Sequence, residues 1–210
     1  MSSAPHHDAG RAELVRLSRE RPLVLAARSF VFVRHGETDG NRQRVFQTAE
    51  QPLNAIGLAQ ARAAAETLRA HPVHRMTAST QARAWRTAEI IAGPRGLALE
   101  PSDQLRERWF GSLVGTSSAS IDWGYDPPGG ERLADFVART RTGFAQALTH
   151  AEGTVVVAHG GNLHVLANGL GLVLPDELGA NASPILFDRA GSAWTAKPIG
   201  PLNPLIGVAS

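Results

Sequence analysis

The run Ser29-Phe-Val-Phe-Val-Arg-His-Gly-Glu-Thr-Asp-Gly-Asn41 constrains the fold more than any other stretch of the chain. Phe30 to Val33 is short, β-branched and aromatic, and reads as a buried strand. It passes directly into Arg34-His35-Gly36, residues that a buried strand would not choose for stability. In open α/β sheets ligands bind beyond the carboxyl ends of the strands, so chemistry is expected here. An arginine beside a histidine at such an end suits a phosphate, because the guanidinium clamps oxygens while the imidazole faces the phosphorus. A second stretch repeats the arrangement: Gly153-Thr-Val-Val-Val-Ala158 ends in His159-Gly160-Gly161 and leads into a helix.

Between and around these motifs the pattern alternates. A weakly amphipathic helix over Ala9 to Arg21 is stopped by Pro22, and Leu23 to Ala27 reads as either an edge strand or a linker. Asn41 to Gln51 is polar and irregular. Asn54 is a suitable N-cap for a helix from Ala55 to Ala70, with Leu58, Ala61, Ala65 and Leu68 as its apolar stripe. A strand over Arg75 to Ala78 precedes a helix from Gln81 to Ala92, whose inner face is read as Trp85, Ala88 and Ala92. Leu97 to Glu100 is a further strand. Ser112 to Pro128, rich in Gly, Ser, Asp and Pro, is a loop or a lid. Glu131 to His150 is amphipathic through Leu133, Phe136, Val137, Thr140, Phe144, Ala147 and Leu148. Asn162 to Leu170 follows the second motif as a helix, and Ile185 to Trp194 reads as a hairpin turning at Ala190-Gly191. This order predicts a three-layer α/β/α sandwich, with a mostly parallel central sheet and an antiparallel C-terminal hairpin. The expected division is an N-terminal extension over 1–28 and one catalytic domain over 29–210.

Composition narrows the function classes. The 21 basic and 19 acidic residues leave a formal charge of +2, and Lys197 is the only lysine. With no basic run and no interleaved aromatic platform, nucleic acid is not an expected partner. No apolar stretch approaches the ~20 residues a bilayer span needs, and Pro22 to Val33, apolar but interrupted by Arg28, lacks the layout of a signal peptide; a soluble, cytoplasmic protein without membrane partners is expected. Cysteine is absent, which excludes disulfides, thiolate metal sites and a cysteine nucleophile. His6-His7-Asp8 reads as a mobile terminus rather than a metal site, and His71-Pro-Val-His74, with no nearby carboxylate, as a surface turn, so no metal and no cofactor is expected.

Two further polar positions attract notice. Arg83 falls in the first turn of a helix, where the macrodipole disfavours a cation; such local conflicts often mark functional positions, although a solvated arginine is the plain alternative. Glu107 sits among Arg106, Arg108, Trp109 and Phe110, and taken alone reads as a surface ion-pair residue.

Taken together, Arg34-His35-Gly36-Glu37-Thr38 with Asn41, Pro52-Leu53-Asn54-x-x-Gly57-x-x-Gln60-Ala61, Arg83-Ala84-x-x-Thr87-Ala88, Leu105-x-Glu107-x-x-x-Gly111, Pro128-Gly-Gly-Glu131 and His159-Gly-Gly161 resemble the histidine phosphatase superfamily, in its phosphoglycerate-mutase-like branch. The resemblance spans Ser29 to Trp194. It implies that His35 is the nucleophile and becomes a phosphohistidine. It assigns the phosphoryl oxygens to Arg34, Arg83 and His159, helped by Asn41 and the Gly160 amide. Glu107 is then the proton donor to the leaving oxygen and the acceptor from water. The small-molecule partner is a phosphate monoester.

The chain departs from the family pattern at the pocket rim. Val45 to Gln51 is one residue short, Thr48 stands where the family carries glycine, and Glu50 falls near a customary aspartate. The segment between Glu107 and His159 is short beside that of the mutases and lacks their lysine. A phosphatase is therefore expected in preference to a cofactor-dependent phosphoglycerate mutase. A catalytically idle phospho-ligand binder and a metal hydrolase remain as further alternatives. Thr48, Trp109, Trp123 and Tyr125 are candidates for the substrate pocket, the aromatic three suiting a bulky or apolar leaving group, with plain packing an equal reading. Oligomeric state is open, a homodimer among the alternatives.

Overall fold

The computed structural model describes residues 4–119, 122–150 and 152–203, with side chains from Gly10 onward; the side chains of His6, His7 and Asp8 therefore lie outside the described residues. Six strands form one sheet: β1 (Ser29–Arg34), β2 (Arg75–Ser79), β3 (Leu99–Ser102), β4 (Thr154–Ala158), β5 (Pro184–Ala190) and β6 (Ala193–Pro198), in the order β3-β2-β4-β1-β5-β6. β1, β2, β3 and β4 run parallel, and the β5–β6 hairpin adds antiparallel pairing at β1. This is the expected mixed sheet, with helices on both faces.

Alternation along the two central strands divides the core. Phe30 and Phe32 of β1, with Val156 and Ala158 of β4, face Phe144 and Leu148 at the end of α5 (Leu133–Ala147) and Leu163 and Leu166 of α6 (Gly160–Gly169). Val31, Val33, Val155 and Val157 point the other way, onto Ala64 and Ala65 of α3 (Ala55–Thr67) and Ala84, Ala88 and Ile91 of α4 (Ala82–Ala92). Every residue of β4 is buried, which accounts for its unbroken β-branched run. Phe30 stacks on Phe187 of β5 with ring centroids 5.0 Å apart and meets Trp194 of β6 edge-on.

The N-terminal segment packs on this body. Helix α1 (Ala4–Arg19) buries Leu14 against Leu133, Phe136, Val137 and Val165. The following chain is not a strand, yet Leu23, Leu25 and Ala27 join the core beneath α5 and α6. Arg141 of α5 anchors this crossing by donating to the carbonyls of Ser18, Arg21 and Pro22 at 2.8, 2.8 and 3.1 Å.

Several expectations need correction. The stretch expected to be irregular contains a short helix, α2 (Asp39–Gln43), because Thr38 and Asn41 form a reciprocal capping box. Trp85 and Leu58 are only half-buried; the narrow alanine faces of α3 and α4 approach the sheet closely and leave the larger side chains at the margin. Arg83, read as lying off the buried stripe of α4, is 3% exposed. It follows the sheet-facing side of the helix towards the strand ends, where polar partners await it.

Close backbone approach fixes where α3 begins. A Cβ on Gly57 would stand 2.0 Å from the Glu37 carbonyl oxygen, and one on Gly36 would stand 2.5 Å from that of Gly57. The loop after β1 and the first turn of α3 are thus in backbone contact, with Asn54 donating to the Glu37 carboxylate at 2.8 Å and accepting from the Gly57 amide at 2.8 Å. Gly57→Ala is expected to destabilise the fold by about 1–3 kcal/mol through overpacking, read as a lower urea midpoint; an unchanged midpoint would show that the helix shifts freely.

Candidate active site

The register of the two central strands brings the motif histidines together. Arg34 is paired with Ala158, so His35 and His159 leave adjacent parallel strands at the same level. The His35 amide still donates to the Ala158 carbonyl at 2.9 Å. The two imidazole centroids lie 5.1 Å apart, tilted by 58°, and both residues are buried, at 3% and 0% exposure.

His35 Nδ1 is 2.7 Å from the Gly36 carbonyl oxygen. A carbonyl only accepts, so Nδ1 carries the proton and Nε2 is left with its lone pair. Burial, together with the charges of Arg83 and Arg34, holds the His35 pKa well below that of an ordinary imidazole. The same causes lower that of His159, burial foremost. Both rings are therefore neutral near pH 7. His159 Nε2 lies 2.9 Å from Ser79 Oγ at the end of β2.

Two arginines close on the pair from either side. Arg34 Nη1 donates to the Gly179 carbonyl at 2.8 Å. Arg83 Nη1 donates to the Thr48 carbonyl at 2.9 Å, and its Nη2 to Gln81 Oε1 at 2.7 Å. Burial lowers the pKa of Arg83 to about 10, nearby Glu107 acting in the opposite sense; the group stays cationic at neutral pH. Arg34 Nε, Arg83 Nε and His159 Nδ1 are all buried without a hydrogen-bond partner. Buried polar groups are nearly always paired, and three orphans around one pair of histidines describe a site built for an anion. Gly160 belongs to it: a Cβ there would lie 3.7 Å from Arg34 Nε, placing the first turn of α6 beside that guanidinium.

Glu107 approaches from the loop after β3. Its carboxylate accepts from the Arg108 amide at 3.0 Å and from the Gly161 amide at 3.0 Å, at the N-terminus of α6. A Cβ on Gly161 would stand 2.2 Å from Glu107 Oε1 and 2.9 Å from the Trp123 ring; glycine is needed for the carboxylate to reach this position. The loop carrying Glu107 is tied down by Arg139, which pairs with both oxygens of Glu131 and donates to the carbonyls of Gln104, Arg106 and Glu107.

Asn41 stands at the mouth beside Arg34. Its Oδ1 accepts from the Thr38 amide at 3.1 Å, leaving the Nδ2 end for another partner. A cavity of about 170 Å³ opens there, lined by Arg34, Asn41, Gln47, Ser118 and Asn181 among others. The structure thus gathers Arg34, His35, Asn41, Arg83, Glu107, His159 and Gly160. The substrate-pocket candidates are less uniform. Thr48 contributes its carbonyl to Arg83, and Trp123 lies against Gly161 while packing on Phe136 at 6.1 Å. Trp109 is 42% exposed and donates its indole N–H to the Gly129 carbonyl, and Tyr125 is 48% exposed.

Sequence reasoning missed Asn181, Ser79, Gln81 and Gln47. Asn181 is 3% exposed and donates to the His35 carbonyl at 2.8 Å. Ser79 and Gln81 flank the turn from β2 into α4, and Gln47 accepts from Thr38 Oγ1 at 2.8 Å. No local pattern distinguishes these residues from loop amides and hydroxyls, and only their positions in the fold give them a role. The stretch read as a loop or a lid is tied down at its described residues 123–126. Arg108, its side chain fully buried, donates to the carbonyls of Trp123, Tyr125 and Glu131 and to Asp126. Among the described residues no group of three His, Cys, Asp or Glu side chains is placed to hold a metal ion, and no helix is long and apolar enough to cross a membrane.

Comparison with known proteins agrees with this geometry. A family model described as the histidine phosphatase superfamily (branch 1) matches residues 30–197. The chain is 31% identical over 202 residues to a 2,3-bisphosphoglycerate-dependent phosphoglycerate mutase of Xanthobacter autotrophicus, covering 82% of this chain and 97% of that protein. An agropine synthesis reductase of Rhizobium rhizogenes is 35% identical over 181 residues; this covers 80% of the present chain, which spans only 41% of that relative's length. Among solved structures, a mycobacterial glucosyl-3-phosphoglycerate phosphatase in complex with VO3 superposes with a TM-score of 0.67 at 29% identity, covering 81% of this chain and 98% of that one.

An anion taking the two free guanidinium Nε–H donors beside the histidines is expected to stabilise the fold. Orthovanadate at about a hundred times its Kd should raise Tm by roughly 5–10 °C, and Arg83→Ala should abolish the shift. An equal shift in the variant, measured by differential scanning fluorimetry, would place the anion elsewhere.

Proposed function

The chain belongs to the histidine phosphatase superfamily, and from that footing we propose that it is a phosphatase, hydrolysing phosphate monoesters through a phosphohistidine on His35 without a metal in the step. One observation carries the reading: a neutral imidazole with Nε2 unprotonated stands among a second imidazole and two guanidiniums whose buried Nε–H groups have no hydrogen-bond partner.

Phosphoryl transfer asks mainly for positioning and for stabilisation of charge on the equatorial oxygens. Arg34, Arg83 and His159 take those oxygens, with the Gly160 amide and Asn41 Nδ2 beside them. The Nε2 lone pair of His35 attacks phosphorus, the bond to the leaving oxygen breaks, and Glu107 gives that oxygen a proton. The carboxylate then takes a proton from water, whose oxygen attacks the phosphohistidine; the phosphorus–nitrogen bond breaks and phosphate leaves. Two displacements replace one hydrolysis whose uncatalysed rate can lie up to ~10²¹-fold lower. Trp123, against Gly161 and so beside the acid, is the aromatic ring best placed to meet a leaving group.

The mutase is the second reading, favoured by the names of several relatives. It requires a bisphosphate intermediate to be retained while it reorients. The segment between Glu107 and His159 is short beside that of the mutases, and its described residues are fastened by Arg108 and Arg139, which leaves little chain to enclose such an intermediate. Coupled assays with and without 2,3-bisphosphoglycerate separate the two, and phosphoglycerate interconversion exceeding phosphate release would overturn the phosphatase reading.

His35→Ala is expected to lower kcat/KM for a generic monoester by on the order of 10³-fold or more and to abolish the acid-labile, base-stable phosphate trapped on the protein. Gly161→Ala, which drives a methyl into the Glu107 carboxylate, should lower kcat by roughly 10²-fold while vanadate binding survives. Because the His35 pKa is depressed, the imidazole stays unprotonated as the pH falls through 6.5. The pH profile of phosphoenzyme formation should therefore show no loss centred there; a loss at that pH would mean a solvated nucleophile.

A further inference from the structure

Gln81 occupies the N-cap of α4, a position where Ser, Thr, Asp or Asn is preferred, and its side chain makes no capping hydrogen bond to the helix. It is 7% exposed. Its Oε1 accepts instead from Arg83 Nη2 at 2.7 Å and from the Glu107 backbone amide at 3.3 Å. Both partners are donors only, so the orientation of the carboxamide is fixed by chemistry. One neutral oxygen thus joins the phosphate-clamping arginine to the backbone of the acid, the first from the opening turn of α4 and the second from the loop after β3. The helix forgoes a cap to make this connection, and such a local conflict is expected where a residue serves the site.

We propose that Gln81 is a positioning residue that aims Arg83 and seats the Glu107 backbone together, holding the phosphate clamp and the proton donor as one unit. The roles of Arg83 and Glu107 rest on the phosphatase reading; the coupling itself does not. With Nη1 held by Thr48 and Nη2 by Gln81, the guanidinium is fixed in its plane and its unpartnered Nε is left for an oxyanion. A carboxamide suits this task better than a carboxylate, because it accepts from the guanidinium without cancelling the charge the phosphate must feel. An aliphatic side chain of similar size would fill the space but leave both donors without their acceptor.

Gln81→Glu and Gln81→Leu test the proposal by two routes. The first reads orthovanadate binding from the Tm shift, which needs no turnover. The second reads kcat and KM with p-nitrophenyl phosphate. Gln81→Glu keeps shape and both acceptor bonds but sets a negative charge against Arg83. At pH 7 it is expected to weaken vanadate roughly tenfold, with kcat reduced less than affinity. Gln81→Leu loses a hydrogen bond to a charged group, and both vanadate affinity and kcat should fall roughly tenfold or more. Vanadate affinity unchanged in Gln81→Glu overturns the proposal even where Gln81→Leu fails to fold. A folded Gln81→Leu that weakens vanadate but keeps wild-type kcat overturns the coupling to Glu107. If the wild type hydrolyses no monoester yet binds vanadate through Gln81, the phosphatase reading fails and the aiming of Arg83 stands.

Discussion

Two guanidinium groups held on neutral oxygens, that of Arg83 buried and that of Arg34 half-buried, set the terms for the rest of the molecule. The partners of Arg34 and Arg83 are the carbonyls of Gly179 and Thr48 and the carboxamide of Gln81. Burial depresses the pKa of both, with the charge of Arg34 adding to the effect on Arg83, and each repels the two nearby imidazoles out of their charged forms. An isolated charge in such a place is costly. The arrangement becomes reasonable when a multiply charged anion is the missing partner, since direct ion pairs with carboxylates would compete for the same donors. The donors that these neutral oxygens leave over are kept in place for that anion by a rigid parallel sheet.

The same side-chain chemistry, turned inward, fastens the surroundings. Arg108 holds the loop over 123–131, Arg139 holds the segment that carries Glu107, and Arg141 holds the crossing from α1 into the core. Each guanidinium collects several oxygens that fixed secondary structure cannot reach. A planar fork with five donors does this well, and an ammonium on a flexible stem does it poorly. The composition of twenty-one basic residues with a single lysine acquires a structural meaning here: many arginines are backbone clamps around one anion site rather than a charged surface. Loops that would otherwise be mobile present Glu107 and Trp123 at a set distance from the strand ends.

Much of this was legible in the chain. The two β-branched runs ending in histidine and glycine located the central strands, because a buried parallel strand needs an unbroken apolar stretch and a ligand site needs polar residues at its end. Helices α3, α4 and α5 followed from apolar periodicity and, for α3, from the cap at Asn54; α6 was read from its place after the second motif. The short capped helix at Asp39–Gln43 escaped notice because its stability lies in a reciprocal side-chain bond rather than in any repeat. The burial of Arg83 was also hidden: local helical spacing assigns it to the outside, and only the contact of α4 with the sheet turns it inward.

The sequence by itself determined the class of fold, the order of its elements and the polar groups that end on strand tips, since these follow from periodicity and from residues a core would otherwise reject. Tertiary structure alone decided that Arg34 pairs in register with Ala158, setting His35 beside His159, and that Glu107 reaches the amide of Gly161. It alone made Asn181, Ser79 and Gln81 part of the site. Those contacts join residues far apart in the chain through single hydrogen bonds, which leave no periodic trace along it; their geometry exists only once the sheet has fixed where each strand ends.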